Sequence, residues 1–206
     1  MFEFQTILRK LRENDPTLTM LDIRINPIGA AGAKALADAL ETNATLTVLH
    51  LYYNEIGTAG AKALADMLKK NKTLTELNIS GNKIGDAGAQ AIAEALKTNA
   101  TLTTLYLSEN KIGYTPLALF MFCGNQIINE GVEALAEALK TNTALTMLDL
   151  RFNVIGDVGV LALAEALKIN TTLRMLGLNT NEISAAGTKV LEEIDTYLKR
   201  NRHDNT

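Results

Sequence analysis

The chain has 206 residues, of which 47% are hydrophobic and 21% are charged, a balance typical of a folded globular protein. Its formal net charge is −3 with both signs interspersed, so it lacks the basic stripe that nucleic-acid binding requires. No apolar run is long enough for membrane insertion, and the single cysteine, Cys123, excludes an internal disulfide framework. With no signal-peptide pattern at the start, we expect a cytoplasmic protein, or an effector delivered into a cytoplasm.

The first predicted element is a helix within residues 1–17 that would cap the N-terminal end of the fold. One face of this helix is apolar, as shown by the helical spacing of Phe4, Ile7, Leu8 and Leu11. The helix should end at Asp15, because a residue before proline is disfavoured in the helical conformation.

Residues 18–187 repeat a 28-residue unit, and the copies begin at Leu18, Leu46, Leu74, Leu102, Leu145 and Leu173. The unit reads Leu-Thr-x-Leu-x-Leu-x-x-Asn-x-Ile-Gly-x-x-Gly-Ala-x-Ala-Leu-Ala-x-Ala-Leu-x-x-Asn-x-Thr. Successive copies start 28 residues apart, except that 43 residues separate the fourth from the fifth. A fixed period of this length predicts a solenoid of similar units stacked side by side.

Each unit is predicted to contain one strand followed by one helix. In residues 74–101, Leu77 and Ile79 are two apart, as in a strand with one buried face, while Ala89 and Ala93 share one face of a helix. Strands pair at about 4.8 Å, whereas helices pack at roughly 8–10 Å, so the stack must curve. We therefore predict an α/β fold: a right-handed horseshoe of six repeats with a concave parallel β-sheet and convex helices.

An asparagine follows each predicted strand, where the chain must turn. Its amide can donate to and accept from backbone groups that would otherwise be buried without partners. We expect these side chains to stack as a hydrogen-bonded ladder formed by Asn26, Asn54, Asn82, Asn110, Asn153 and Asn181.

Polar residues also mark the predicted helix ends. The helix N-caps should be Thr58, Asp86, Asp157 and Ser184. Four sequon asparagines follow the helices at one repeat position, and we interpret them as left-handed C-caps rather than glycan acceptors: Asn43, Asn71, Asn99 and Asn170.

The fourth repeat contains an insertion near residues 111–127. Asn110 and Asn125 both match the ladder position, and the segment between them, residues 114–123, is strongly apolar. Three interpretations remain open: a rim loop that docks a partner or a second copy through Leu117–Phe122, a segment folded back over its own repeat, or sequence wrongly retained in the gene model.

Residues 188–206 are predicted to form a capping helix and tail. Glu192 and Asp195 stand where the repeat has apolar residues, and a polar outer face is typical of a terminal repeat. We expect residues 1–206 to form one finished domain and to be monomeric.

The motif Leu-x-x-Leu-x-Leu-x-x-Asn followed by Ile-Gly-x-x-Gly-Ala-x-Ala-Leu resembles the leucine-rich repeat of the ribonuclease-inhibitor type, also found in NOD-like receptors. The resemblance implies a protein-binding scaffold that uses its concave face and adjoining loops. Residues 7–18 are in addition similar to the helix that opens the repeat domain of tropomodulin, which implies an actin-binding role.

Side chains at positions three, five and seven of each repeat should point away from the core onto the concave surface. The repeat does not dictate these residues, so they are free to recognise a partner. With two neighbours at position eight, the candidates are Met20, Asp22, Arg24, Val48, His50, Tyr52, Tyr53, Glu76, Asn78, Tyr106, Met147, Asp149, Arg151, Phe152, Met175 and Asn179.

Two clusters within this set suggest anchors for a partner. The first concentrates ring side chains, a type enriched in binding hot spots: His50, Tyr52, Tyr53 and Tyr106. The second combines a carboxylate, a guanidinium and an aromatic ring: Asp149, Arg151 and Phe152. In the alternative interpretation, Asp149 with Arg151 and Asp22 with Arg24 merely neutralise each other.

The sequence offers no catalytic constellation, metal cluster or cofactor motif. Its two histidines, His50 and His203, are far apart in sequence, and its glycines belong to the repeat's own turns. We predict a non-enzymatic scaffold that binds a protein partner. The alternatives are a GTPase activator resembling the Ran-activating family and an actin-binding module resembling tropomodulin.

Overall fold

The computed structural model describes residues 2–110 and 130–203, and in this part of the chain helices and strands alternate. The helices are α1 (Phe2–Arg12), α2 (Gly29–Leu40), α3 (Gly57–Lys70), α4 (Gly85–Leu96), α5 (Glu130–Leu139), α6 (Asp157–Ile169) and α7 (Ala185–His203). The strands are β1 (Met20–Asp22), β2 (Val48–His50), β3 (Glu76–Asn78), β4 (Thr104–Tyr106), β5 (Met147–Asp149) and β6 (Met175–Gly177).

The six strands form one parallel sheet in the order β1-β2-β3-β4-β5-β6. Equivalent repeat positions pair throughout, so position three forms one row across the sheet: Met20, Val48, Glu76, Thr104, Met147 and Met175. The register does not slip at the 43-residue interval, because Thr104 pairs with Met147. The predicted parallel sheet and its register are confirmed, and the fold is the predicted leucine-rich-repeat horseshoe.

The core lies between the sheet and the helices. The middle residue of each of the strands β1 to β5 is buried against them, as at Leu49, Leu77 and Leu105, whereas Leu176 of the terminal strand β6 is half-buried. Small residues allow neighbouring helices to approach closely: a Cβ added at Gly60 would lie 2.9 Å from Cβ of Ala33. The alanine-rich helix faces predicted from the repeat therefore serve close helix packing.

The predicted asparagine ladder is present from Asn54 onward, whereas Asn26, predicted to be its first member, is exposed. Backbone N–H groups donate to the side-chain oxygen one repeat later, from Asn54 to Asn82 (2.8 Å), from Asn82 to Asn110 (2.8 Å) and from Asn110 to Asn153 (2.9 Å). Asn110 therefore occupies the ladder in the irregular repeat, and Asn125 lies outside the described residues. The inserted segment, with Leu117–Phe122 and Cys123, lies outside the described residues, so its three interpretations remain open.

The ladder is interrupted in the first repeat. In the next two repeats the residue after the ladder asparagine has a left-handed φ, 57° at Glu55 and 58° at Lys83. Pro27 is the residue at this position in the first repeat, and its ring fixes φ at about −65°. Within the described residues, the side-chain oxygen of Asn54 is buried without a hydrogen-bond partner, and the N–H of Ile28 donates to the carbonyl of Asn26 instead.

The predicted N-caps are correct only at Ser184. Its hydroxyl accepts the N–H of Ala186 at 3.1 Å, at the start of α7. The residues before α3, α4 and α6 are Ile56, Ile84 and Gly156, none of which makes a side-chain capping bond. The N-cap prediction is therefore wrong for Thr58, Asp86 and Asp157. Each of these residues lies inside the first turn of its helix rather than before it.

These three residues instead bond to the following repeat. Thr58 donates to the carbonyl of Ile84 at 2.8 Å. Asp86 accepts the N–H of Gly131 at 3.2 Å, and Asp157 accepts the N–H of Ser184 at 2.9 Å. A carboxylate in the first turn of one helix thus stabilises the first turn of the next.

The predicted left-handed C-caps are also wrong. Asn71 and Asn170 have extended backbones, with φ of −64° and −68°. The oxygen of Asn71 accepts the N–H of Leu74 at 2.8 Å, and its amide donates to the carbonyl of Leu40 at 2.8 Å. The same pattern recurs along the array as a second buried ladder, at Asn43, Asn71, Asn99, Asn142 and Asn170.

Candidate protein-binding face

The concave face consists of the side chains at positions three, five and seven of the repeats. Its ends are the most open: Met20 is 51% exposed and Met175 is 59% exposed, while Val48, Glu76 and Met147 between them are half-buried. At position seven, Arg24, Arg151 and Asn179 are exposed and Tyr52 is half-buried. The structure therefore brings the predicted candidates onto one surface.

A polar cluster lies on the N-terminal half of this face. The Nε2 atom of His50 is 2.8 Å from a carboxylate oxygen of Glu76, and its Nδ1 atom is 4.0 Å from a carboxylate oxygen of Asp22. Asp22 in turn accepts a hydrogen bond from Arg24 at 2.9 Å. The order of the strands creates this cluster, since Asp22, His50 and Glu76 lie on the neighbouring strands β1, β2 and β3, and Arg24 follows β1.

Tyr106 continues the row toward the C-terminal half. Partial burial raises the pKa of its hydroxyl, and the negative charges of Glu76 and Asp149 raise it further. Asn78, beside it on β3, uses its side-chain oxygen to accept the N–H of Ser80 at 3.0 Å. The phenol of Tyr106 therefore remains neutral and able to donate a hydrogen bond to a partner.

Asp149 and Arg151 form the strongest ion pair on the face. The guanidinium donates two hydrogen bonds, to Oδ1 at 2.9 Å and to Oδ2 at 2.8 Å, and Asp149 is only 3% exposed. This pairing raises the pKa of Arg151, chiefly through the hydrogen bonds. Gly177 makes room for it, because a Cβ there would lie 2.8 Å from Asp149 Oδ1.

Tyr53 and Phe152 lie on the rim, which we define as position eight of the repeats: Ile25, Tyr53, Gly81, Glu109, Phe152 and Thr180. Every rim residue has a positive φ, between 53° and 65°. Such a conformation is uncommon outside glycine and unfavourable for a β-branched residue such as Ile25. Ile25 is nevertheless 73% exposed and was absent from the predicted set; its only sequence signal is an apolar residue just after the strand.

The aromatic rings predicted as one cluster separate into two groups. Tyr52 and Tyr53 contact each other with ring centroids 4.2 Å apart. The ring of Tyr53 lies over Gly81, and its hydroxyl donates to the carboxylate of Glu109 two repeats away. That bond raises the pKa of Tyr53 to about 12. Tyr106 instead belongs to the charged row beside Glu76.

Within residues 2–110 and 130–203, no group of three or more histidine, cysteine, aspartate or glutamate side chains could hold a metal ion. Over the same residues, no helix is long and apolar enough to cross a membrane. The described surface instead offers an open sheet face bordered by apolar rim residues.

Parallel repeats, a buried asparagine ladder and an open concave face define a leucine-rich-repeat binding module. Residues 2–115, more than half of the chain, match the family model described as the TMOD/LMOD leucine-rich domain. The chain therefore belongs to the tropomodulin/leiomodin leucine-rich domain family. Residues 141–164 match a second model, described as a leucine-rich repeat. No curated protein matches the chain in a sequence search.

Two solved structures are similar over nearly the whole chain. Leiomodin-1 actin-binding site 2 is 26% identical, with a TM-score of 0.62, and the match covers 98% of this chain and 91% of that one. The tropomodulin C-terminal domain of Caenorhabditis elegans is 14% identical, with a TM-score of 0.59, and the match covers 98% and 94%. The second likeness concerns the fold alone.

Proposed function

We propose that this chain is an actin-binding module. The observation that carries the proposal is the similarity to leiomodin-1 actin-binding site 2, at 26% identity over 98% of this chain, within a shared family. The tropomodulin-like alternative of the sequence analysis thereby becomes the preferred specific function. A cytoplasmic location accompanies it, because actin is a cytoplasmic protein.

We further propose that the partner contacts the rim and the concave face. The rim presents exposed apolar side chains at Ile25, Tyr53 and Phe152, in conformations that the backbone does not favour. Strain of this kind costs on the order of 1–3 kcal/mol per residue and is often kept at binding sites. Aromatic residues and methionine are also enriched in interfaces, which adds Met20 and Met175 at the two open ends of the sheet.

The broader prediction of a scaffold for some other protein uses the same surface, and it is the alternative if actin does not bind. The Ran-activator alternative has no support from the family match or from leiomodin-1, because both lead to the tropomodulin/leiomodin family.

The test is co-sedimentation of the purified chain with filamentous actin, together with a binding titration against monomeric actin. A rim variant carries Ile25→Ser, Tyr53→Ser and Phe152→Ser. A matched control carries Val158→Ser, Leu161→Ser and Ile169→Ser, which alter side chains of similar exposure on α6. We expect the wild type and the control to bind, and the rim variant to lose about tenfold or more in affinity.

Two outcomes contradict different parts of the proposal. If the wild type binds neither form of actin, the actin assignment is wrong. If the wild type and both variants bind equally well, actin remains the partner but the rim is not its contact surface. Circular dichroism of each variant shows whether the fold is retained.

A further inference from the structure

A groove at the C-terminal end of the sheet lies between the last two strands and α7. Its volume is about 420 Å³, and its apolar lining comes from Met147, Met175, Leu176 and Leu198. Met175 is 59% exposed, and Leu176 is half-buried although it is the middle residue of its strand. The groove shares Met147 and Met175 with the concave face and extends beyond it to the free edge of β6.

The backbone of β6 has one side available for a further strand. On the other side, the N–H of Met175 donates to Thr146 at 3.1 Å, and the carbonyl of Gly177 accepts the N–H of Leu150 at 2.9 Å. Alternate residues of a strand direct their peptide groups to opposite sides, so the N–H and C=O of Leu176 face the open edge. No strand of the described chain pairs with that edge. An exposed edge of this kind can pair with an extended segment of another protein.

Charged side chains of both signs line this groove: Arg151 and Arg202 are basic, and Asp149 and Asp195 are acidic. Two further basic residues lie beside the groove, Lys199 next to Asp195 and Arg174 next to Arg202. Both acids are already paired: Asp149 with Arg151, and Asp195 with Lys199 at 2.6 Å. Arg202 is 3.7 Å from Asp195 and donates to the carbonyl of Arg174 at 3.0 Å.

Arg174 itself forms no ion pair with a carboxylate in the described part of the chain. Its side chain is exposed at the start of β6, and Arg202 lies beside it on α7. The positive charge of Arg174 is therefore not neutralised by a carboxylate of the described chain and is open to a ligand. Charge of this sign attracts an acidic ligand and repels a basic one.

The opposite end of the sheet differs. A groove beside β1 is lined by the charged residues Glu3, Asp22 and Arg24, so acidic groups are in the majority there. Both ends have a free strand edge, but at the β6 end the lining charges are balanced and the exposed Arg174 lies beside the groove. Charge therefore distinguishes the two edges for a ligand that pairs with a strand.

We propose that the β6 groove binds an extended, acidic segment of a partner protein, which adds a strand to the sheet beside Leu176. Apolar side chains of the segment would contact Met175, Leu176 and Leu198, and its carboxylates would meet Arg174 and Arg202. This site goes beyond the proposed actin binding and does not depend on it.

The test uses short blocked peptides with alternating residues, titrated into the whole chain and followed by fluorescence anisotropy. The probe alternates valine with glutamate; the controls replace glutamate with lysine, or alternate valines with proline to remove backbone donors. We expect the glutamate peptide to bind at least about tenfold more tightly than either control. We also expect amide NMR to show slowed hydrogen exchange at Leu176 when the peptide is bound.

Protein variants locate the site. Arg202→Glu combined with Arg174→Glu should weaken binding of the glutamate peptide about tenfold or more. Lys62→Glu is the matched control, because Lys62 is an exposed basic residue on α3, and it should leave the affinity within about twofold. The proposal is overturned if the lysine peptide binds as well as the glutamate peptide, if Lys62→Glu weakens binding equally, or if exchange at Leu176 is unchanged on binding.

Discussion

The side-chain oxygen of Asn82 accepts the backbone N–H of Asn54, one repeat earlier, at 2.8 Å. The same oxygen is 3.3 Å from the N–H of Ile56, and the Asn82 amide donates to the carbonyls of Leu51 and Ser80 at 2.8 and 2.9 Å. One fully buried side chain thus satisfies four backbone groups. Asn54 makes only the two donor bonds, and its oxygen has no hydrogen-bond partner in the described chain.

Asn82→Ala should therefore destabilise the protein more than Asn54→Ala, although both residues are fully buried at the same repeat position. Leaving a buried polar group unsatisfied costs about 1–3 kcal/mol, and only Asn82→Ala deprives two backbone donors as well as two acceptors. We expect a loss of about 3–5 kcal/mol for Asn82→Ala and about 2 kcal/mol less for Asn54→Ala. Urea denaturation followed by circular dichroism measures both, with the exposed Asn26→Ala as a control. Equal losses at the two buried positions would contradict the claim that the two bonds accepted by the Asn82 oxygen stabilise the fold.

Gly81→Ala should displace the ring of Tyr53. A Cβ at this position would lie 2.2 Å from two ring atoms, and the backbone φ of 65° disfavours alanine in any case. The phenol would then lose its bond to Glu109, and its pKa should fall from about 12 toward 10. A spectroscopic pH titration of tyrosine ionisation measures this shift, and Tyr53→Phe identifies which phenol ionises last. No change in the highest tyrosine pKa would show that the ring is held by other contacts.

The same bond gives stability a defined pH dependence. The pKa of Tyr53 is higher in the folded state than the ordinary value of 10.0, so the fold favours the neutral phenol. This contribution is present below pH 10 and is lost as the pH rises toward about 12. Tyr53→Phe should remove that part of the alkaline destabilisation.

The repeat predicts what every copy shares, and it fails where one copy differs or where repeats interact. Leu49 and its equivalents predicted the buried strand face, and Asn82 predicted the ladder. The predicted caps at Thr58, Asp86 and Asp157 were wrong because these side chains bond to residues of the next repeat. The sequence of a single repeat does not show how close its residues lie to those of its neighbour. The choice between Asn110 and Asn125 likewise required the neighbouring asparagines in space.

The candidate site could likewise be predicted from the sequence only in part. Sheet register follows from the period, so the concave rows could be predicted. The bond from Tyr53 to Glu109 spans 56 residues and depends on the missing side chain at Gly81, which no local pattern indicates. The exposure of Ile25 similarly follows from the backbone conformation of the rim rather than from strand alternation.

Asp15, three residues beyond the end of α1 at Arg12, should make stability sensitive to acid. Its carboxylate accepts hydrogen bonds from the hydroxyl and the N–H of Thr17 at 2.7 and 2.9 Å, and these bonds lower its pKa from 3.8 to about 2. The carboxylate therefore stabilises the fold above about pH 4, and this contribution is lost as the pH falls through about 2. Asp15→Ala should lower the melting temperature at pH 5 to 6, with a difference that shrinks near pH 2.

Thr17→Ala provides a second measurement of the same effect. It removes the hydroxyl donor, the largest cause of the lowered pKa, so the acid transition should shift to higher pH than in the wild type. Thermal melts at closely spaced pH values would show it. A constant gap between Asp15→Ala and the wild type from pH 6 down to pH 2 would mean that the carboxylate charge is not the stabilising feature.

Arg151→Met should cost more stability than Arg24→Met, although both replace an arginine paired with the aspartate two residues before it. Asp149 is 3% exposed and receives two guanidinium hydrogen bonds, whereas the side chain of Asp22 is 31% exposed and receives one. Removing Arg151 leaves a buried carboxylate unpaired, which costs about 2 kcal/mol after allowance for the half-exposed guanidinium. Removing Arg24 leaves a carboxylate in contact with water and should cost about 0.5 kcal/mol.

Urea denaturation of the two variants measures the difference, and Asp149→Asn combined with Arg151→Met should recover part of the loss, because the buried charge is then absent. Equal costs for the two variants would mean that the buried pair is no more stabilising than the exposed one, and that both pairs merely neutralise each other. In that case the space that Gly177 provides beside Asp149 would not contribute to stability.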